Sequence, residues 1–173
     1  MKRKMVILTE GFTNPHTAKT ASSVIRYGND EVVALLDSTV AGETTQVLLG
    51  VGGDIPVVAT LDEAPAAELL LLGIAPPGGS IPANWRAVIL DAISRGMDVT
   101  AGLHDFLTDD GEFVEAAATH DVTLTDVRKN DERDIARRTG LRGDCLRVLT
   151  VGHDCSVGKM PTSIELTNGL QTA

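Results

Sequence analysis

Apolar and polar positions alternate along this chain in blocks. Short aliphatic runs recur at residues 5–8, 32–36, 56–59, 69–74, 97–101, 122–125 and 146–151. Each run is continuous rather than alternating, which is the pattern of strands covered on both faces in a parallel sheet. Segments of helical period separate them. In residues 84–95, Trp85, Val88, Ile89, Ala92 and Ile93 fall on one face, and Gly96 supplies a C-terminal stop. Residues 15–27 carry Ala18, Ala21, Val24 and Ile25 on a similar stripe, closed by Gly28. Residues 44–49 and 111–119 make shorter helical segments. Strands alternating with helices predict βαβ units and a Rossmann-like, doubly wound, mainly parallel α/β sheet.

Composition narrows this picture. Hydrophobic residues make up 43% of the 173 positions, yet aromatic residues only 3%. The core must then be built from Val, Leu, Ile and Ala, which suits helices layered on a sheet. A net charge of −9 argues against nucleic acid as a partner but leaves local phosphate binding open. Cys145 and Cys155 are too few for a disulfide framework. The basic start Met1-Lys2-Arg3-Lys4 precedes an apolar run too short for a signal peptide, and no stretch has transmembrane length. A cytoplasmic protein without a membrane partner is expected.

In an open parallel sheet, ligands bind beyond the carboxyl ends of the strands. Those positions hold Thr9-Glu10-Gly11, Asp37-Ser38, the loop 73–79, Gly102-Leu103-His104-Asp105 and Asp126-Val127-Arg128-Lys129. Gly78 and Gly79 offer close backbone approach to a cofactor, or a tight connection shaped by Pro76 and Pro77. His104 is the candidate catalytic base, with Asp105 either orienting it or capping a helix. Asp37 stands where an acid would hold a ribose, but no G-x-G-x-x-G follows the first strand, which favours a turn role. The histidines and cysteines form no metal pattern.

The last run leads into different chemistry. After residues 146–151 come Gly152, His153, Asp154, Cys155, Ser156, Val157, Gly158, Lys159 and Met160. A strand, a glycine-bounded loop and a lysine opening a helix form the layout of a phosphate-cradling P-loop. The binding residues expected are Gly152, Asp154 through Met160, and above all Lys159 with the amides of Val157 and Gly158. Cys155 is either a reactive thiol at a helix N-terminus or a small packing residue. The loop differs from G-x4-G-K-[ST] in holding five residues between its glycines, and Met160 stands where a hydroxyl would hold Mg²⁺. Charge-dense residues 130–143 read as a linker carrying a short helix, or as a surface helix. The expected organisation is a Rossmann-like domain over 1–129, a linker over 130–143, and the first strand, loop and helix of a P-loop domain over 144–173. An apolar run at 148–151 without its own sheet invites pairing with another chain, so a homo-oligomer is expected.

The segment from Val148 to Met160 closely resembles the P-loop of a two-domain family long of unknown function. That family joins a Rossmann-like N-terminal domain to a P-loop C-terminal domain. Some members are described as D-glutamate N-acetyltransferases of the DgcN type. The match extends to Lys19, Thr20 and Ala21 with Arg26 and Tyr27, to Leu36-Asp37-Ser38 with Ala41 and Gly42, to Gly73-Ile74-Ala75-Pro76, to Gly102-Leu103-His104 and to Asp126 through Lys129. Pro161 departs from the threonine usual in the family. The resemblance implies a P-loop domain continuing past Ala173, acetyl transfer to an acidic amino acid, and a chain inactive by itself. The phosphate-bearing ligand would be acetyl-CoA or ATP. The five-residue loop also resembles that of dethiobiotin synthetase, which leaves an ATP-binding protein or ligase as a second expectation. A non-catalytic Rossmann-like binding or oligomerisation module is the third.

Overall fold

The computed structural model describes residues 2–130, 140, 142–153 and 157–172. The first six apolar runs become strands: β1 (Lys4–Leu8), β2 (Glu31–Leu36), β3 (Val57–Val58), β4 (Leu69–Leu72), β5 (Asp98–Ala101) and β6 (Leu124–Asp126). Helices α1 (Lys19–Tyr27), α2 (Thr45–Leu49), α3 (Ala83–Ser94) and α4 (Gly111–His120) lie between them. Short 3-10 turns occupy Ser38–Val40, Pro77–Gly79 and Leu107–Asp109. The chain divides into two units, Met1–Asn130 and Asp131–Ala173.

In the first unit the strands form one six-stranded sheet in the order β3-β2-β1-β4-β5-β6. Every pairing is parallel. The chain winds outward from β1 to β3, then returns to place β4 on the other side of β1. The order therefore reverses between β1 and β4, the switch point of a doubly wound fold. Ile7, Leu8, Leu35, Leu70, Ile89, Ile93 and Phe113 are fully buried, and each such side chain contributes about 1.5–3 kcal/mol of hydrophobic stabilisation. The stripe foreseen on α3 packs inward as Trp85, Ile89, Ala92 and Ile93. Close contact between α1 and the sheet depends on Gly73. A Cβ there would overlap the Ile7 side chain and sit 3.2 Å from the Ala21 Cβ. The Ala21 amide donates to the Gly73 carbonyl at 2.9 Å.

The second unit corrects one expectation. Residues 146–151 form no strand. A strand draws its backbone hydrogen bonds from a neighbour, and no described residue pairs with this run in a ladder. Leu146 is 91% exposed and Leu149 82%. The helix that follows does form, as α5 (Lys159–Thr172). Pro161 lies in its first turn, where a missing N–H removes no intrahelical bond. Residues 131–139, on which most of the expected linker falls, lie outside the described residues. No described helix is long and apolar enough to cross a membrane.

Candidate functional site

Two stretches of the first unit's carboxyl edge behave differently. Beyond β1 and β2, the polar side chains bond to groups of the same loops. Asp37 is fully buried. The Thr13 amide and hydroxyl donate to its Oδ2 at 3.2 and 2.5 Å, and the Thr39 amide and hydroxyl to its Oδ1 at 3.0 and 2.6 Å. Burial by itself pushes this carboxyl up; the hydrogen bonds from Thr13, Thr39 and the Gly11 amide outweigh it and hold the group below the usual carboxylate range. Glu10 likewise accepts from the Ser38 amide and hydroxyl at 2.7 and 2.5 Å. Asp37 caps the 3-10 turn Ser38–Val40, which is the turn role favoured above over a ribose contact. The β1 loop also reaches across the switch point. Phe12 meets Trp85 edge to face at 6.4 Å between ring centroids.

Beyond β4 and β5 the edge opens into a cleft of about 400 Å³. Its walls are the start of α3, with Ile81, Pro82, Ala83 and Arg86, and the loop after β5, with His104, Asp105, Phe106, Asp109 and Asp110. The loops are stitched together by main chain. The His104 and Asp105 amides both donate to the Gly79 carbonyl, at 2.9 and 3.3 Å. Asp105 Oδ2 accepts from the Ile81 amide at 3.2 Å. Asp105 therefore ties one loop to the other, and neither of the roles weighed for it above describes this. Arg86 is held by Asp110, whose two oxygens accept from Nη1 and Nη2 at 2.7 Å each, and by Glu112. This pairing pulls the Asp110 carboxyl down to about 2. Asp110 also caps α4, accepting from the Glu112 and Phe113 amides. Lys129 donates to Asp109 and lies 5.2 Å from the Phe106 ring centroid.

The second unit holds the P-loop-like segment. Gly158 has φ of 93°, a left-handed backbone that glycine adopts without strain, and Lys159 follows as the first residue of α5. A Cβ at Gly152 would meet the Lys159 Cγ at 3.2 Å and the Val157 side chain more closely still, so the lysine stem runs over the first glycine of the loop. Thr150 Oγ1 donates to the Lys159 carbonyl at 3.0 Å and shares a 2.6 Å hydrogen bond with Ser163 Oγ. Thr150 thus holds the end of the 146–151 run against the start of the helix. Asp154, Cys155 and Ser156 lie outside the described residues.

Comparison with known proteins follows the same division. The Rossmann-like domain of unknown function DUF1611_N matches residues 38–130, and the P-loop domain of unknown function DUF1611_C matches residues 134–173. The chain belongs to the DUF1611 family. A protein from a Pseudoalteromonas species named D-glutamate N-acetyltransferase is 39% identical over 105 residues, which cover 61% of this chain and 31% of that protein. One of the same name from Tritonibacter scottomollicae is 39% identical over 115 residues, covering 65% of this chain and 34% of that protein. A crystal structure of a DUF1611 family protein from Anabaena variabilis matches with a TM-score of 0.83 and 30% identity, over 99% of this chain and 50% of that one. The matches span about a third of the length of the two curated relatives.

Within this DUF1611 chain, His104 stands in the cleft, as does the Gly79 carbonyl's partner Asp105. The open approach foreseen at Gly79 is taken up by the His104 ring, while a Cβ at Gly78 would meet only the Ser80 Oγ, at 3.9 Å. Gly152, Val157, Gly158, Lys159 and Met160 belong to the second unit. Sequence reasoning missed Arg86, Phe106, Asp109 and Asp110. One signal for Asp110 was available: it directly precedes the helix foreseen from Gly111, at the N-cap position. No cluster of His, Cys, Asp and Glu among the described residues has the geometry of a metal site.

Proposed function

We propose that this chain is the N-terminal portion of an enzyme that transfers an acetyl group to the amine of D-glutamate or a closely related acidic amino acid. The observation that carries this reading is the 39% identity to two proteins named for that activity. The cleft supports an amino-acid-sized substrate, because about 400 Å³ lies at the small end of ligand sites. His104 is its candidate base. The amine nitrogen would attack the carbonyl carbon of an acetyl thioester, the C–S bond would break, and the sulfur would leave as thiolate. His104 would take the proton from nitrogen. The amides of Val157, Gly158 and Lys159, with the Lys159 ammonium, are proposed to hold the phosphates of acetyl-CoA.

Magnesium-dependent ATP chemistry is the weaker reading. It calls for a hydroxyl immediately after the lysine. Met160 and Pro161 stand there, and the Thr162 hydroxyl donates to the Gly158 carbonyl at 2.8 Å. These residues do not fit a magnesium ion.

The test is to incubate acetyl-CoA and D-glutamate with this chain extended through a complete P-loop domain, and to follow thiol release and the N-acetyl product. Both are expected, and Lys159→Ala should weaken acetyl-CoA binding at least tenfold by calorimetry. No thiol release, together with tight binding of Mg-ATP, would replace acetyl transfer by nucleotide chemistry.

A further inference from the structure

We infer that Gly79 is the positioning residue for His104: the side chain it lacks is the seat of the imidazole. The inference rests on reading His104 as the acid–base group of the cleft. A Cβ built at Gly79 overlaps the His104 Cδ2 and falls 3.1 Å from Cγ and 3.2 Å from Cβ. The conflict therefore reaches the root of the side chain. Rotating the ring about its terminal bond cannot relieve it, because Cγ and Cβ lie on that axis. The His104 backbone cannot retreat cheaply either. Its amide and that of Asp105 donate to the Gly79 carbonyl, and Asp105 Oδ2 accepts from Ile81 on the far side of the turn. The group free to yield is the imidazole, which is exposed on its outer side. A methyl group at position 79 should swing the ring to another rotamer, which removes the Cδ2 and Cγ conflicts, while the 3.2 Å approach to the His104 Cβ asks the two loops to part by a few tenths of an ångström.

Gly78 is a built-in control. It has φ of 84° and Gly79 has φ of 71°, so alanine at either position suffers the same left-handed strain. Only Gly79 touches His104. The difference between the two alanine variants isolates the seat from the backbone.

The experiment has two readouts. In this chain, nuclear Overhauser contacts from the His104 ring should link it to Gly79, persist in Gly78→Ala and be rearranged in Gly79→Ala. In the chain extended through a complete P-loop domain, Gly79→Ala should lower kcat about 100-fold with KM for the amino acid within about twofold, as expected for a misplaced acid–base group. Gly78→Ala should lower kcat at least tenfold less than Gly79→Ala does, and Gly79→Ala should add nothing in a His104→Ala background. If Gly79→Ala does not fold, recovery of the fold in Gly79→Ala/His104→Gly, which also removes the Cβ 3.2 Å away, supports the seat, and failure of that double variant while Gly78→Ala folds overturns it. Equal ring contacts and equal kcat in the two glycine variants, where His104→Ala is inactive, overturn the inference alone. An unchanged kcat in His104→Ala removes the acid–base reading, and the inference with it.

Discussion

The two halves of the sheet's carboxyl edge start from similar material and end differently. Both are loops of small, polar and acidic residues following buried strands. Beyond β1 and β2, Glu10 and Asp37 spend their oxygens on amides and hydroxyls of the same loops. Beyond β4 and β5, Asp105, Asp109 and Asp110 are spent in the same way, on the Ile81 amide, Lys129 and Arg86, but His104 is tied to Gly79 through its amide alone and its side chain is left facing a cleft. The difference shows that a strand-end position makes a site available, while the internal hydrogen-bond accounting decides whether it is used. Phe12 against Trp85 adds to the closure, by joining the loop after β1 to helix α3.

The sharpest test of the open half is His104→Ala. Its side chain is exposed, so unfolding stability should change by less than about 0.5 kcal/mol. Turnover in the chain extended through a complete P-loop domain should fall about 10²–10⁴-fold, the usual contribution of a general base. Stability loss with full activity would show that the open half is structural as well.

Asp37→Ala tests the closed half, and the expectations invert. Removing the buried carboxylate strands the buried hydroxyl and amide of Thr13 and frees the Thr39 turn, at a cost of about 2–4 kcal/mol in urea unfolding. On the proposed function, binding of D-glutamate or acetyl-CoA should be unaffected in whatever fraction is folded. A stable variant that has lost ligand would erase the contrast between the halves.

Acid titration probes both halves together. The Asp110 carboxyl is lowered to about 2, chiefly by the Arg86 guanidinium, and Asp37 is lowered as well. A depressed carboxyl stabilises the fold fully above its unfolded value of about 3.9, and that contribution fades as pH falls through the folded value. The urea midpoint should therefore be flat from neutrality to about pH 5 and drop between about pH 4 and pH 2. Asp110→Asn keeps a capping side chain but loses the charge, so it should lie below wild type at pH 7 and converge with it near pH 2. Parallel curves at all pH values would mean that the Arg86 pair contributes nothing.

Much of the fold was legible because buried parallel strands leave continuous aliphatic runs. The runs ending at Leu8, Leu36 and Ala101 became strands with boundaries moved by a residue at most. The face of α3 was legible from its period. His104 could be nominated from its place after β5, since edge positions follow from strand order. Its seat at Gly79 could not, because the contact joins loops 25 residues apart whose approach is set by the sheet. Arg86 and Asp110 were hidden for the same reason: each reads alone as an ordinary helix-end residue, and only the packing of α3 against α4 pairs them. Residues 146–151 mark the opposite limit. Their aliphatic content reads as a strand, but strand formation needs neighbours that a one-dimensional pattern does not reveal.

That last point yields the smallest expected effect and extends the contrast between spent and unspent groups to the second unit. Leu70 of β4 is fully buried between β1 and β5, whereas Leu149 is 82% exposed. Leu70 sits in an all-leucine run, Leu149 in one interrupted by Arg147 and Thr150. Leu149→Lys should shift the unfolding free energy of this chain by less than about 0.5 kcal/mol, because a surface substitution removes no packing. Leu70→Lys should prevent folding, since it places an unpaired charge in the sheet core. Amide hydrogen exchange gives an independent reading: backbone groups of 146–151 should exchange fast, and those of Leu69–Leu72 at the rate of global unfolding. If Leu149→Lys costs more than about 1 kcal/mol and those amides are protected, the run is paired in solution. Concentration dependence of the protection would then identify a second copy of this chain as the partner, because an apolar unpaired segment offers its backbone to any strand that can reach it.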